Sequence, residues 1–296
     1  MLAPRHQRTV NTTIRQAMNN TFNLLRFYHF FRKTVLERPW QIIGIVLLNF
    51  IVILILYAFL RDIIGWNPTQ NLTFNAGFVF GGCYLSATLF NYFSSNANGF
   101  SFLTLPVSLL EKWLCAMLIT WVLYVIAFFV FYVSIDHLFV SYYHHHLNVQ
   151  DPHYAKLQEA VQPFDLRGHV ATSTYIMFGI LTAAMFVGSM YFNKMGFIKT
   201  GLFICALLIL VFALNMMVAH AFFPNVRDAF PFSHVSVNLP GNTSAEESAL
   251  AIRMKDEGAS IELPAPYSAM YRVFLRYILV AVLMVAAFFR LKEKEF

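Results

Sequence analysis

The chain has 296 residues, 58% of them hydrophobic and 12% charged, with a formal net charge of +6. Soluble domains are about one-quarter charged, so this balance excludes a water-soluble or secreted protein and points to a chain that crosses a bilayer several times. Phenylalanine alone supplies 32 residues, and its ring has no polar atom to satisfy in hydrocarbon.

Residues 1–39 contain no apolar core that would serve as a secretory signal. Ile14, Met18, Phe22 and Leu25 recur at helical spacing, while Arg15, Arg26, Arg32 and Lys33 supply a basic face. The pattern predicts an amphipathic helix in the inner membrane interface, its cations on anionic lipid. The plainer alternative is a basic tail that only fixes topology. Pro39 is expected to break this helix before the first span.

A helix crosses the ~30 Å hydrocarbon core with about 20 apolar residues. Six windows qualify: Trp40–Leu60, Asn75–Phe93, Trp113–Ser134, Val170–Tyr191, Gly201–Ala221 and Arg272–Phe289. The first five hold no Asp, Glu, Lys or Arg; the sixth carries Arg272 and Arg276 at its leading end, where they can snorkel. The expected fold class is therefore an all-α polytopic membrane protein with six spans. Spans one to five lie in 40–221, with an inner loop at 94–112 and an outer loop at 135–169. A small extracytoplasmic α/β cap at 222–271 follows, then the sixth span and a cytoplasmic tail at 272–296. With both termini inside, the inner segments hold 13 of the 21 basic residues and the outer ones 11 of the 15 acidic residues, in keeping with the positive-inside rule.

The inner loop reads SSNANGFSFLTLPVSLLEK. Ser94–Gly99 is a cluster of turn formers, after which Pro106 can open a short helix through Val107, Leu109, Leu110, Glu111 and Trp113. Two readings stay open. The helix is held at the cytoplasmic surface, able to press on a soluble partner, or it simply starts the third span early.

The outer loop carries His144, His145 and His146, then Asp151, His153 and Asp165. Adjacent imidazoles rarely converge on one ion, so a hydrated loop is expected and no metal site. In the cap, His234–Leu239 and Ala259–Leu263 alternate like strands around Pro240-Gly241-Asn242, with a short helix expected at Ala245–Lys255.

No phosphate-binding loop, HExxH or GxSxG motif occurs. No catalytic residue, cofactor site or nucleic-acid partner is therefore expected in this chain. Its deep polar residues are mainly Asn49, Ser86, Thr88, Asn91 and Asn215, which argues against an ion-coupled carrier. Small residues mark packing faces: Gly77 and Gly81 in the second span, and Gly179, Ala183 and Gly188 in the fourth. They serve packing within the chain or a dimer seam. Cys83, Cys115 and Cys205 all lie in apolar runs, so no disulfide is expected.

The interfacial helix, six spans, inward termini and large outer segment before the last span, together with Phe100–Trp113 (FSFLTLPVSLLEKW), resemble the ABC-2-type transporter permeases. Phe289–Phe296 (FRLKEKEF) resembles the tail of members from Bacteroidetes-like bacteria. The resemblance implies the membrane subunit of an ABC exporter in a bacterial inner membrane, among membrane lipids. ATP would be bound and split by a separate ATPase subunit, and a second permease copy or paralogue would complete the transporter. It also implies that Leu105, Pro106, Ser108, Leu109, Leu110, Glu111 and Lys112 couple to the ATPase, with Glu111 facing its cations. One departure is the segment before the last span, a short re-entrant helical pair in many members and polar and partly β here. Other readings are a non-transporting membrane scaffold or sensor with a ligand-binding outer cap, and a membrane enzyme using the His-rich loop.

Overall fold

The computed structural model describes residues 22–37, 39–89, 105–148, 150, 153–192, 195–222, 226–229, 234–237, 259–262 and 265–293. Helix α1 is Leu24–Glu37 and α2 is Pro39–Ile64. Pro39 stands at the first position of α2, where its missing N–H costs nothing. Gly65, at φ 89°, makes the sharp joint to α3, Trp66–Leu89. Helix α4 runs unbroken over Leu109–His145, with a widened π turn at Leu118–Leu123. Then come α5 (Tyr154–Ala160), α6 (His169–Tyr191) and α7 (Gly196–Phe222). Three strands follow, β1 (Val226–Ala229), β2 (His234–Val237) and β3 (Ala259–Glu262). The chain closes with α8 (Ala265–Val273) and α9 (Phe274–Glu293).

Six of these helices, from Ile42 through α9, are long and apolar enough to cross a membrane. Each overlaps one of the six apolar windows, but the ends differ. The second helix starts at Trp66 rather than Asn75, and the third spans Leu109–His145 rather than Trp113–Ser134. Residues 135–145, read as the start of a loop, are thus helical. Polar residues hid these ends: Thr69, Gln70, Thr73 and Asp136 are buried. Gln70 and Asp136 bond to each other across the helix interface, and Thr73 bonds back to the carbonyl of Thr69, so these three side chains are satisfied without water.

The chain divides into two compact units, residues 1–197 with 280–296, and residues 198–279. In the first, α3 packs along α2, α4 and α6. Its core is a seam of rings. Phe78 and Phe178 stack with centroids 4.2 Å apart, Phe74 meets Phe128 and Tyr132, and Tyr175 closes on Phe129 at 5.9 Å. Phe74, Phe78 and Phe128 are buried.

Glycine lets α3 reach this density. A methyl group on Gly81 would strike the Tyr124 hydroxyl and the Asn49 amide, and one on Gly77 would strike Ile53. These two positions pack within the chain, against α2 and α4. Gly179 faces Val280 and Trp121 at ordinary contact distance, while Ala183 and Gly188 are buried in α6.

In the second unit, β2 lies between β1 and β3, antiparallel to both, with His234 opposite Glu262 and Val237 opposite Ala259. The pairing of β2 with β3 joins the two segments that alternate in the sequence. The third strand, β1, carries no such signal. The helix expected at 245–255 and the loop at 94–104 lie outside the described residues.

Candidate functional site

Two carboxylates on α4 are enclosed by the protein, Glu111 at its start and Asp136 near its far end. Each gathers donors from a separate part of the chain.

Glu111 begins as a local device. Ser108 is the N-cap of α4, its Oγ accepting from the Glu111 amide while Glu111 Oε2 accepts from the Ser108 amide at 3.0 Å. This reciprocal pair satisfies two backbone donors that the first helical turn leaves open. The same carboxylate then accepts from α1. Asn23 N donates to Oε1 at 2.8 Å, Arg26 Nε to Oε2 at 2.8 Å and Arg26 Nη2 to Oε1 at 2.8 Å. Asn23 in turn caps α1 through Oδ1, which accepts from the amides of Leu25 and Arg26. A bidentate guanidinium–carboxylate contact fixes distance and angle together, so the starts of α1 and α4 are held as one junction.

This arrangement corrects two expectations and decides between two readings that the sequence left open. Arg26, read from the sequence as part of a basic face on anionic lipid, bonds instead to Glu111. The helix cap falls at Ser108 rather than at Pro106. Leu105, Pro106 and Val107 form a tight turn before it, with Val107 N donating to Leu105 O at 2.7 Å. Of the two open readings, the described residues fit the early start of the third span: the helix beginning at Leu109 runs straight into it. Of the seven residues named for coupling, Ser108, Glu111 and Lys112 are buried, Leu105 and Leu109 are partly covered, and Pro106 and Leu110 are exposed.

Asp136 gathers the second cluster. Oδ1 accepts from the Tyr57 hydroxyl at 2.7 Å and from Gln70 Nε2 at 2.8 Å, and Oδ2 accepts from the Phe164 amide at 2.7 Å. Gln70 Nε2 also donates to Gln162 O at 2.9 Å, which fixes the orientation of its amide. The irregular segment 161–166 is bound here at several points. His144 Nε2 donates to Val161 O at 2.9 Å and the Tyr175 hydroxyl to Leu166 O at 2.8 Å. The Phe164 ring sits against Phe74 at 4.5 Å and Tyr132 at 5.7 Å. His144 is therefore a structural tie and not a residue of a hydrated loop.

Among the described residues no three His, Cys, Asp or Glu side chains converge as a metal site would require. Sequence reasoning missed Asn23, Tyr57, Gln70, Asp136 and Phe164. The Ser-x-x-Glu spacing at 108–111 is a readable signal for the helix cap; the Asp136 cluster, spread over four segments, leaves none. Comparison with protein-family models, curated proteins and solved structures finds no match to this chain.

Proposed function

We propose that the protein is the membrane subunit of an ATP-driven exporter of the ABC-2 type, lying in a bacterial inner membrane with both termini cytoplasmic. The observation that supports this reading best is the Arg26–Glu111 junction, which ties α1 to the start of α4 at 2.8 Å. A partner that presses on α1 would therefore move α4, because the two cannot shift separately without breaking a partly buried charge pair. In this reading the ATPase subunit meets Pro106 and Leu110 together with the outer face of α1, where Leu25, Tyr28 and Leu36 are exposed. Glu111 is a positioning residue inside the chain and does not itself meet the partner's cations.

ATP binding draws two ATPase subunits together. That movement, passed through α1 and α4, rocks two six-span halves and alternates access between them. The driving free energy is the preference of ATP for one of the two states. The second half is another copy of this chain or a paralogue. The three-stranded sheet belongs to an extracytoplasmic cap on this topology.

The test is copurification in mild detergent. The native chain retains a P-loop ATPase, and Leu110→Asp, which alters an exposed position and leaves the junction intact, loses it. A chain that never retains such a subunit rules the reading out.

A further inference from the structure

We propose that residues 161–166 form a plug, latched by Asp136, that closes one end of the ring-lined seam between α3, α4 and α6. The plug lifts as a unit to admit or release an apolar molecule. The segment has no helix or strand of its own. It is held by side chains from the surrounding helices: Asp136 on the Phe164 amide, Gln70 on Gln162 O, His144 on Val161 O and Tyr175 on Leu166 O. Polar side chains in the apolar helices of a membrane protein are costly unless they are bonded, and here several of them are spent on one short segment.

Phe164 fills the end of the seam as a ligand ring would, against Phe74 and Tyr132, with Tyr175 next in line 6.1 Å from Phe74. A site vacated by this ring is walled by aromatic faces and edges, which suits a flat or branched apolar group.

Asp136 is the latch because its donor set is rigid. Gln70 Nε2 and the Phe164 amide are obligate donors aimed at different oxygens, and the Tyr57 hydroxyl supplies a third. All three are neutral, so the plug stands in for water around the carboxylate. When the plug lifts, water replaces the Phe164 amide, and the carboxyl group keeps a hydrogen-bond partner on each oxygen in both states. A segment held this way opens locally, below the cost of unfolding the helices that carry it. The role in export rests on the transport reading above; the latch does not.

Hydrogen exchange of the Phe164 amide tests the latch in the full chain in detergent. Asp136→Asn keeps the shape but offers one acceptor oxygen where three donors converge on two. It should speed exchange at Phe164 about ten- to a hundredfold, while amides in the middles of α2, α3, α4 and α6 keep their native rates. Tyr175→Phe, which removes only the bond to Leu166 O, should raise the same amide's rate by a smaller factor, and it carries the test if Asp136→Asn does not fold. An unchanged Phe164 rate in the variants that fold, or an equal rise across the four helices, would overturn the proposal. An exchange rise without any copurifying ATPase would leave the latch standing and remove only its link to export.

Discussion

Glu111 and Asp136 lie on one continuous helix, about 37 Å apart along its axis at ~1.5 Å per residue, and each accepts from donors on other parts of the chain. Glu111 is fully buried and Asp136 is 3% exposed. One ties α4 to α1, the other ties it to α2, α3 and the segment before α6. In the proposed mechanism this helix is the rod that joins a partner-facing junction to a plug at its opposite end.

Removing either partner of the junction should destabilise the protein. Glu111→Ala leaves Arg26 without its carboxylate and opens the amides of Asn23 and Ser108, and a loss of about 3 kcal/mol is expected. Glu111→Arg should be worse, because it sets like charges together. Exchanging the charges, Arg26→Glu with Glu111→Arg, should not restore stability, since an arginine at 111 cannot accept from the two backbone amides. Thermal unfolding of the purified protein in detergent reads these differences; full rescue by the exchange would contradict the account.

The glycines of α3 predict a contrast with Gly44. Gly81→Ala places a methyl group on the Tyr124 hydroxyl and the Asn49 amide, and overpacking of this kind costs about 1–3 kcal/mol. A methyl group on Gly44 would meet no atom within 4 Å, so Gly44→Ala should be neutral or stabilise the helix by up to about 1 kcal/mol. The same unfolding measurement separates them.

The histidine run should divide residue by residue. His144→Ala loses the bond to Val161 O and should cost about 1 kcal/mol, with faster exchange at the plug. His145→Ala, at an exposed position, should change neither. Equal effects at the two positions would show that His144 is not a tie.

Topology is open to labelling. With the exposed Cys205 replaced, single cysteines at Gln150 and Ser248 should react with a membrane-impermeant maleimide in intact cells, while those at Asn96 and Glu295 should not. Labelling at 96 would reverse the orientation.

The six helices were legible because a run of about 20 apolar residues has few other uses. Their ends were not, because hydropathy registers a polar side chain as a loop signal whatever it bonds to. Gln70 and Asp136 carry on as helix since each finds its partner across the helix interface. Arg26 looks in the sequence like one more cation on a basic face, and only the fold brings it to Glu111. The strands at 234–237 and 259–262 were readable from alternation; Val226–Ala229 sets two charged residues, Arg227 and Asp228, side by side and does not alternate. The plug is legible only in three dimensions, since its ties come from separate helices.

The central claim is that this chain passes force from an ATP-hydrolysing partner into the membrane, and copurification tests it most directly. The tagged chain, extracted in mild detergent from cells that express it natively, should bring down a P-loop ATPase in about equal amount, and the purified complex should hydrolyse ATP. Leu110→Asp should abolish the association without lowering the amount of folded protein. Recovery of the native chain with no nucleotide-hydrolysing subunit, or full retention of that subunit by Leu110→Asp, would contradict the account.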